Sequence, residues 1–377
     1  MKEYRIDEIT EVIAGGTPST KVASYWDGDI VWLTPKDLSN NNSKWISSSI
    51  TTITEDGLNN SSARMLPINA VLLSSRAPIG YLALAGVPLC TNQGFKSMVC
   101  DERYILPEYL YYLLQTKVED LNNISTGSTF KELSASLLKN YKIKVHELDE
   151  QRHIVDILGS IDDALENNLK KANTLFVYGL KLLDRLYSQK RFSNASLIEC
   201  LSLLKDGTHN PPQRVENGIP LITGQTIEDG FIDYSKMTYI KESDYRRIHS
   251  KYAPQINDLL ITKIGTLGKV AILREHDIPI TVHCNSALLR FHTLSPAVAF
   301  FVLNSNDFQN EFHQKKNRTV QEFINLEQIG NLRIKIPETT ESEQEQFELL
   351  LQSISHIDRE NAKLRELKSL YLLRFFS

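Results

Sequence analysis

The chain has 377 residues, 41% hydrophobic and 23% charged, with a formal net charge of −4. That length holds two domains with connectors, and the charge argues against a uniformly basic nucleic-acid binder while allowing local clusters such as His313, Lys315, Lys316 and Arg318. No apolar run approaches the roughly 20 residues of a membrane helix, Met1–Val12 lacks the core of a secretion signal, and Cys90, Cys100, Cys200 and Cys284 form no CxxC pair, so a reducing cytoplasm is expected.

In chain order, a first globular part spans residues 1–147. Short apolar runs with β character lie at Ile30–Thr34, Ala70–Ser74, Tyr81–Ala85 and Lys142–Val145, with turn signals such as Gly15-Gly16 and Asp27-Gly28 between them. Pro107–Val118 reads as a helix with proline in its first turn. A long spacer helix is expected over 148–192, capped by Asp149. Its apolar residues recur at three- and four-residue spacing through Ile154, Ile157, Ile161, Leu165, Leu169, Leu175, Leu182 and Leu186. A second globular part follows over 193–340, with strand candidates Leu221–Thr223, Asp258–Thr262, Lys269–Leu273 and Leu332–Ile336. A second long helix covers 341–377. It starts at Ser342 with Glu345 completing a capping box and carries Phe347, Leu350, Ile354, Ile357, Asn361, Leu364 and Tyr371 as its stripe. Scattered strands and helices of this kind predict an α+β fold.

The chain also repeats itself. Asn140–Val145 returns as Asn331–Ile336, Glu150-Gln151 as Glu343-Gln344, and Ser160-Ile161 followed by Asn168 as Ser353-Ile354 followed by Asn361. More weakly, Gly16-Thr17 echoes Gly207-Thr208, Asn69–Ser74 echoes Asn257–Thr262, Gly80 echoes Gly268, and Asn92 echoes Asn285. A period near half the chain means two similar modules. Two long helices with apolar seams pair antiparallel if the second globular part returns the chain, and equivalent midpoint residues then meet. Asn168 and Asn361 are expected to face each other and fix the register.

Catalytic motifs are missing. Asn210-Pro211-Pro212-Gln213 resembles an amino-methyltransferase loop, but Gln213 stands where an aromatic must stack on a flipped base. No GxxxxGK[ST] loop, GxSxG elbow or metal-ligand spacing is present. The pair Asp162-Asp163 reads as a solvated helix face. No cofactor and no metal are expected.

These residues resemble the specificity subunits of type I restriction-modification systems over the whole length. The resemblance rests on Thr126–Thr129, Leu137-Leu138 and Ile143–Val145 leading to Glu150–Ile154. It also rests on Thr319, Ile324, Ile329 and Ile334–Pro337 leading to Glu343-Gln344, with openings at Gly15–Ser19 and Trp32–Leu38. The second opening departs, reading Asp206–His209 and Gln225. The resemblance implies two pseudo-symmetric α/β target-recognition domains joined by two long antiparallel coiled-coil helices. It implies a non-catalytic chain that reads a bipartite double-stranded DNA site, one half per domain. Two modification (methyltransferase) subunits would dock on the helices, restriction (ATP-dependent translocase and nuclease) subunits would join them, and no membrane is involved.

Residue type and loop position then select DNA contacts. In the first domain these are Thr17, Ser19, Lys21, Lys36, Arg76, Asn92, Gln93, Lys96, Ser128 and Lys131. In the second they are Thr208, His209, Gln213, Gln225, Lys263, Lys269, Asn285, Lys315, Lys316 and Arg318. The competing reading is a coiled-coil scaffold or adaptor with peptide-binding globular domains.

Overall fold

Lys142–Val145 alternates exposed and buried residues, the two-residue period of a strand with one face on a core. It pairs antiparallel with Lys2–Arg5 and so closes the first globular part at its own beginning. In this computed structural model the described residues are 1–377 except 40, 42, 77, 127–130, 209–211, 228–229, 251 and 317–321, and of residue 235 only the backbone. The chain forms two compact units, Met1–Asn168 with Asn361–Ser377, and Leu169–Glu360.

The first unit holds a five-stranded sheet ordered Thr10–Ala14, Lys96–Cys100, Val71–Leu73, Leu82–Ala85 and Trp45–Ile46, and a three-stranded sheet ordered Thr52–Ile53, Trp26–Leu33 and Cys90–Thr91. Val71, Leu72 and Leu73 are all buried, as an uninterrupted apolar run in a sheet with both faces covered should be. The helix Pro107–Gln115 covers this sheet with Tyr109, Leu110, Tyr112, Leu113 and Leu114 fully buried. Pro107 occupies a first-turn position where no amide hydrogen is needed.

The second unit repeats that plan. One four-stranded sheet is ordered Leu201–Asp206, Ser286–Phe291, Leu259–Thr262 and Val270–Ile272, and another is ordered Arg214–Val215, Thr238–Ile240, Ile219–Ile222 and Thr281–Val282. Phe192–Ser196 pairs with Arg333–Pro337 as Lys2–Arg5 pairs with Lys142–Val145. The helix Pro296–Asn304 is apolar all round and buried from Ala297 to Leu303. Asn69 and Asn257 both take left-handed backbone, φ 69° and 72°, at the same turn of the two units. Asparagine tolerates that region better than most side chains.

Two long helices carry the chain beyond the sheets: α1, Leu148–Ser188, and α2, Glu341–Phe376. Each contributes one part to each unit. In the first unit the two parts run antiparallel, because Asp162 meets Lys368 while the later Asn168 meets the earlier Asn361. Asn168 Nδ2 donates to Asn361 Oδ1 at 3.0 Å, and both residues are buried. In the second unit Leu182, Leu183 and Leu186 share a core with Phe347, Leu350, Leu351 and Ile354. Gly179 lets α1 approach the Phe301 ring there, since a Cβ would fall 2.2 Å from that ring.

Three local expectations are corrected. Asp162 is no solvated helix face: Tyr112 Oη donates to it at 2.8 Å and Lys368 Nζ at 2.6 Å. The capping box of α2 is formed by Thr340 and Glu343, because the helix begins at Glu341 and the run Thr340-Glu341-Ser342-Glu343-Gln344-Glu345 offers the same spacing at two registers. Asp149 does not precede α1. It lies in the first turn and pairs with Arg152 at 2.6 Å.

Candidate nucleic-acid interface

In the first unit, loops from distant parts of the sequence are tied into one edge by backbone hydrogen bonds. Gly16 N donates to Thr91 O at 2.9 Å, Asn92 N to Leu33 O at 2.9 Å, Ser75 N to Gly94 O at 2.7 Å, and Leu133 N to Ser75 O at 3.0 Å. Gly15 is required by this approach, since a Cβ there would fall 1.9 Å from Asn92 O. The loop after Gly16 hangs on two indoles. Trp32 Nε1 donates to Gly16 O at 2.9 Å, Trp26 Nε1 donates to Ser19 O at 3.2 Å, and the rings meet edge to face at 5.2 Å. Asp37 locks the next turn by accepting from Thr34 N at 2.7 Å and from Ile50 N at 2.8 Å, which leaves neighbouring Lys36 exposed.

The second unit builds the same edge. Thr208 N donates to Val282 O at 2.8 Å, His283 N to Ile222 O at 2.8 Å, Lys263 N to Asn285 O at 2.8 Å, and Ile324 N to Lys263 O at 3.0 Å. These bonds set the true correspondence. Gly15 matches Gly207 and Gly16 matches Thr208, one residue off the echo in the sequence, because a bulge between Leu201 and Leu203 adds a residue to the second copy. Likewise His283, not Asn285, stands in for Asn92. Asn92 Oδ1 accepts from Gly94 N at 2.9 Å, and His283 Nδ1 accepts from Asn285 N at 3.3 Å. Asn285 takes the place of Gly94. At the turn locked by Asp37, Thr226 takes over and bonds Thr223, leaving Gln225 exposed where Lys36 stands in the first unit.

Among the selected residues, Ser19, Lys21, Lys36, Arg76, Gln93 and Lys131 are exposed in the first unit, and Thr17 and Asn92 are half-buried. Thr17 Oγ1 donates to Gln93 Oε1, bringing two distant loops together. Arg76 pairs with Glu132 at 3.0 Å. In the second unit Gln213, Gln225 and Lys315 are exposed, while Thr208, Lys269, Asn285 and Lys316 are half-buried. Gln225 follows Gly224, which lies against Thr262, Ile264 and Asn285. Lys96 and Lys263 are buried, each with its ammonium turned inward. Lys96 reaches Ser75 Oγ at 3.2 Å and Lys263 reaches Asp206 at 2.9 Å. Burial holds the Lys96 pKa below the ordinary lysine value, against the opposing pull of Glu132. Ser128, His209 and Arg318, like Gly127 and the Asn210-Pro211 part of the proline motif, lie outside the described residues.

Sequence reasoning passed over Asp37, Glu132 and the Trp26–Trp32 pair. Only the spacing of Thr34 and Asp37 signalled one of them, as a capping-box pair ahead of the short helix Pro35–Ser39. Among the described residues no group of three or more His, Cys, Asp or Glu side chains could hold a metal. No helix of the described residues is long and apolar enough to cross a membrane. The arrangement offers rigid loop edges carrying amide, hydroxyl, guanidinium and ammonium groups, the repertoire that contacts phosphates and base edges.

The family model described as type I restriction modification DNA specificity domain matches residues 1–174 and 215–369, and the chain belongs to this family. The chain is 46% identical over 185 residues to the type I restriction enzyme MjaIX specificity subunit of Methanocaldococcus jannaschii, covering 48% of this chain and 43% of that one. It is 31% identical over 164 residues to the EcoR124I/EcoR124II specificity subunit of Escherichia coli, covering 42% and 40%. The matched stretches thus span under half the length of these relatives. The crystal structure of the type I restriction-modification S subunit from M. genitalium aligns with a TM-score of 0.53 at 16% identity over 98% of this chain and 94% of that one, a likeness of fold.

Proposed function

We propose that this chain is the subunit that selects the DNA site of a type I restriction-modification complex and performs no chemistry itself. The loop edge of each unit reads one half of a bipartite duplex sequence. The observation that carries this reading is the pair of backbone-tied edges, Gly16–Thr91–Ser75–Leu133 and Thr208–Val282–Lys263–Ile324, built alike but lined differently, in a chain whose family is defined as DNA specificity domains. Phosphate contacts would come from exposed cations such as Lys21, Lys36 and Arg76. Base edges would be read by side-chain amides such as those of Gln93 and Gln225. Two modification subunits would dock on the long helices, where Leu367, Leu370 and Leu373 expose an apolar stripe at three-residue spacing on α2. Restriction subunits would join that complex.

Expressing the chain with its modification subunits and mapping methylated bases across a genome tests the reading. A single split motif is expected, and loss of one half's specificity on exchanging residues 1–147 would assign that half to the first unit. Inserting four residues into each long helix is expected to lengthen the unspecified stretch between the halves. Methylation without a defined motif, or binding to peptides that ignores ionic strength, would favour the scaffold reading instead.

A further inference from the structure

Arg76 and Glu132 face each other across an antiparallel bridge at the edge of the first unit, with Arg76 Nη2 3.0 Å from Glu132 Oε1. Lys96 Nζ lies 3.7 Å from the same oxygen. The three side chains differ in access: Arg76 is 53% exposed, Glu132 38% and Lys96 only 8%. The backbone under them is fixed through Ser75, which receives Leu133 N and donates to Gly94 O. A carboxylate at a surface that meets a polyanion repels it, so its presence needs a reason. Two cations on one carboxylate leave a net positive charge, and only one of the two is placed to move. When a phosphate draws Arg76 outward, buried Lys96 still neutralises Glu132, which avoids stranding a bare carboxylate against DNA. The second unit lacks the device, because Ile264 and Phe323 form the corresponding bridge.

We propose that Glu132 is a positioning residue for the first half-site: it holds the Arg76 guanidinium at the edge until a correctly placed DNA phosphate takes its place, with Lys96 as the buried counter-ion that remains. The proposal rests on the DNA-reading function above. Random duplex, which docks without settling into register, must compete with Glu132 for Arg76, and the carboxylate thereby suppresses non-specific binding.

The test uses the full chain with its modification subunits and two duplexes of equal length, one bearing the mapped site and one of random sequence. Glu132→Gln is expected to raise affinity for random duplex about threefold, because the Arg76 guanidinium no longer has a competing carboxylate, and to change affinity for the mapped site by less than about twofold, because there the lost pre-positioning of Arg76 offsets the removed competitor. Glu132→Asp should keep native discrimination. In an Arg76→Gln background, Glu132→Gln should change nothing, and Arg76→Gln alone should reduce the log–log salt slope by about one. A purely structural Glu132 would lower the melting temperature without raising random-duplex affinity, and that result overturns the proposal. So does an equal rise with and without Arg76. Should Glu132→Gln fail to fold, the exposed Arg76→Gln variant decides alone: an unchanged salt slope removes the phosphate contact. If the native complex shows no preference for the mapped site, the DNA-reading function falls first, and this proposal with it.

Discussion

The two units share a backbone and disagree in their side chains. Four edge-forming hydrogen bonds recur between matched positions, from Gly16–Thr91 and Thr208–Val282 to Leu133–Ser75 and Ile324–Lys263. The groups on those positions do not. Arg76–Glu132 becomes Ile264–Phe323, Asp37 becomes Thr226, and Asn92 becomes His283. Even the buried ammonium changes strand. Lys96 reaches toward the position of Ser75 in the first unit, whereas Lys263 occupies that position in the second and reaches back to Asp206. Amide-to-carbonyl bonds are indifferent to side-chain identity, so a fold held by them can change what its edge presents without changing its shape.

The same contrast governs the helix starts and predicts the largest effect. Gln151 and Gln344 occupy the same motif, yet Gln151 is fully buried. It accepts from Leu106 N at 2.9 Å and donates to Tyr104 O and His146 O, each at 2.8 Å. Gln344 is exposed, and its side chain donates to Thr339 Oγ1 at 2.9 Å at the surface. Gln151→Ala removes the partner of three partly buried backbone groups and leaves a cavity at a fully buried position, and should cost about 2–4 kcal/mol, whereas Gln344→Ala should cost under about 0.5 kcal/mol. Chemical denaturation of the two variants measures both, and equal losses would show that the motif acts alike in the two units.

Smaller is the effect at the helix pair. Asn168→Leu leaves the buried Asn361 amide without its partner and should cost about 1–3 kcal/mol, while Asn168→Leu with Asn361→Leu together should recover much of it. If the polar pair fixes register, the double variant loses uniqueness of pairing even as its melting temperature recovers, which broadened amide resonances in α1 and α2 would reveal.

Much of this was legible in the sequence because periodicity reports packing. Most of the seam of each long helix, the strand Lys142–Val145, its repeat expected at Leu332–Ile336 and found at Arg333–Pro337, and the duplication itself all leave a regular trace, while Leu169 of the expected α1 stripe is exposed. The edges left less. A bulge of one residue between Leu201 and Leu203 shifts the match of every loop before the next strand, and no side-chain pattern announces it. Lys96 and Arg76 look alike as cations near turns, and only the sheet decides that one faces inward and the other outward. Asp162 looked solvated because its partners, Tyr112 and Lys368, lie 50 and 206 residues away in sequence.

The smallest expected effect is an acid one, and it distinguishes the second unit's helix start from the first's. Glu343 accepts from Arg191 Nη1 and Nη2, each at 2.8 Å, and from Thr340 N at 2.8 Å. The Arg191 guanidinium, followed by the Thr340 amide, holds its carboxyl at about 2, well below the ordinary 4.5. A carboxyl depressed in the folded state adds stability that is fully present above its unfolded value and lost as pH falls toward the folded one. The difference in melting temperature between the native chain and Glu343→Gln should therefore be widest above pH 4.5 and shrink steadily toward pH 2. Both partners are partly solvated, so added salt should narrow the gap at neutral pH as well. A gap that stayed constant with pH would mean that the charge of Glu343 contributes nothing. Its role would then reduce to neutral hydrogen bonding to Thr340, which glutamine can also supply at that position.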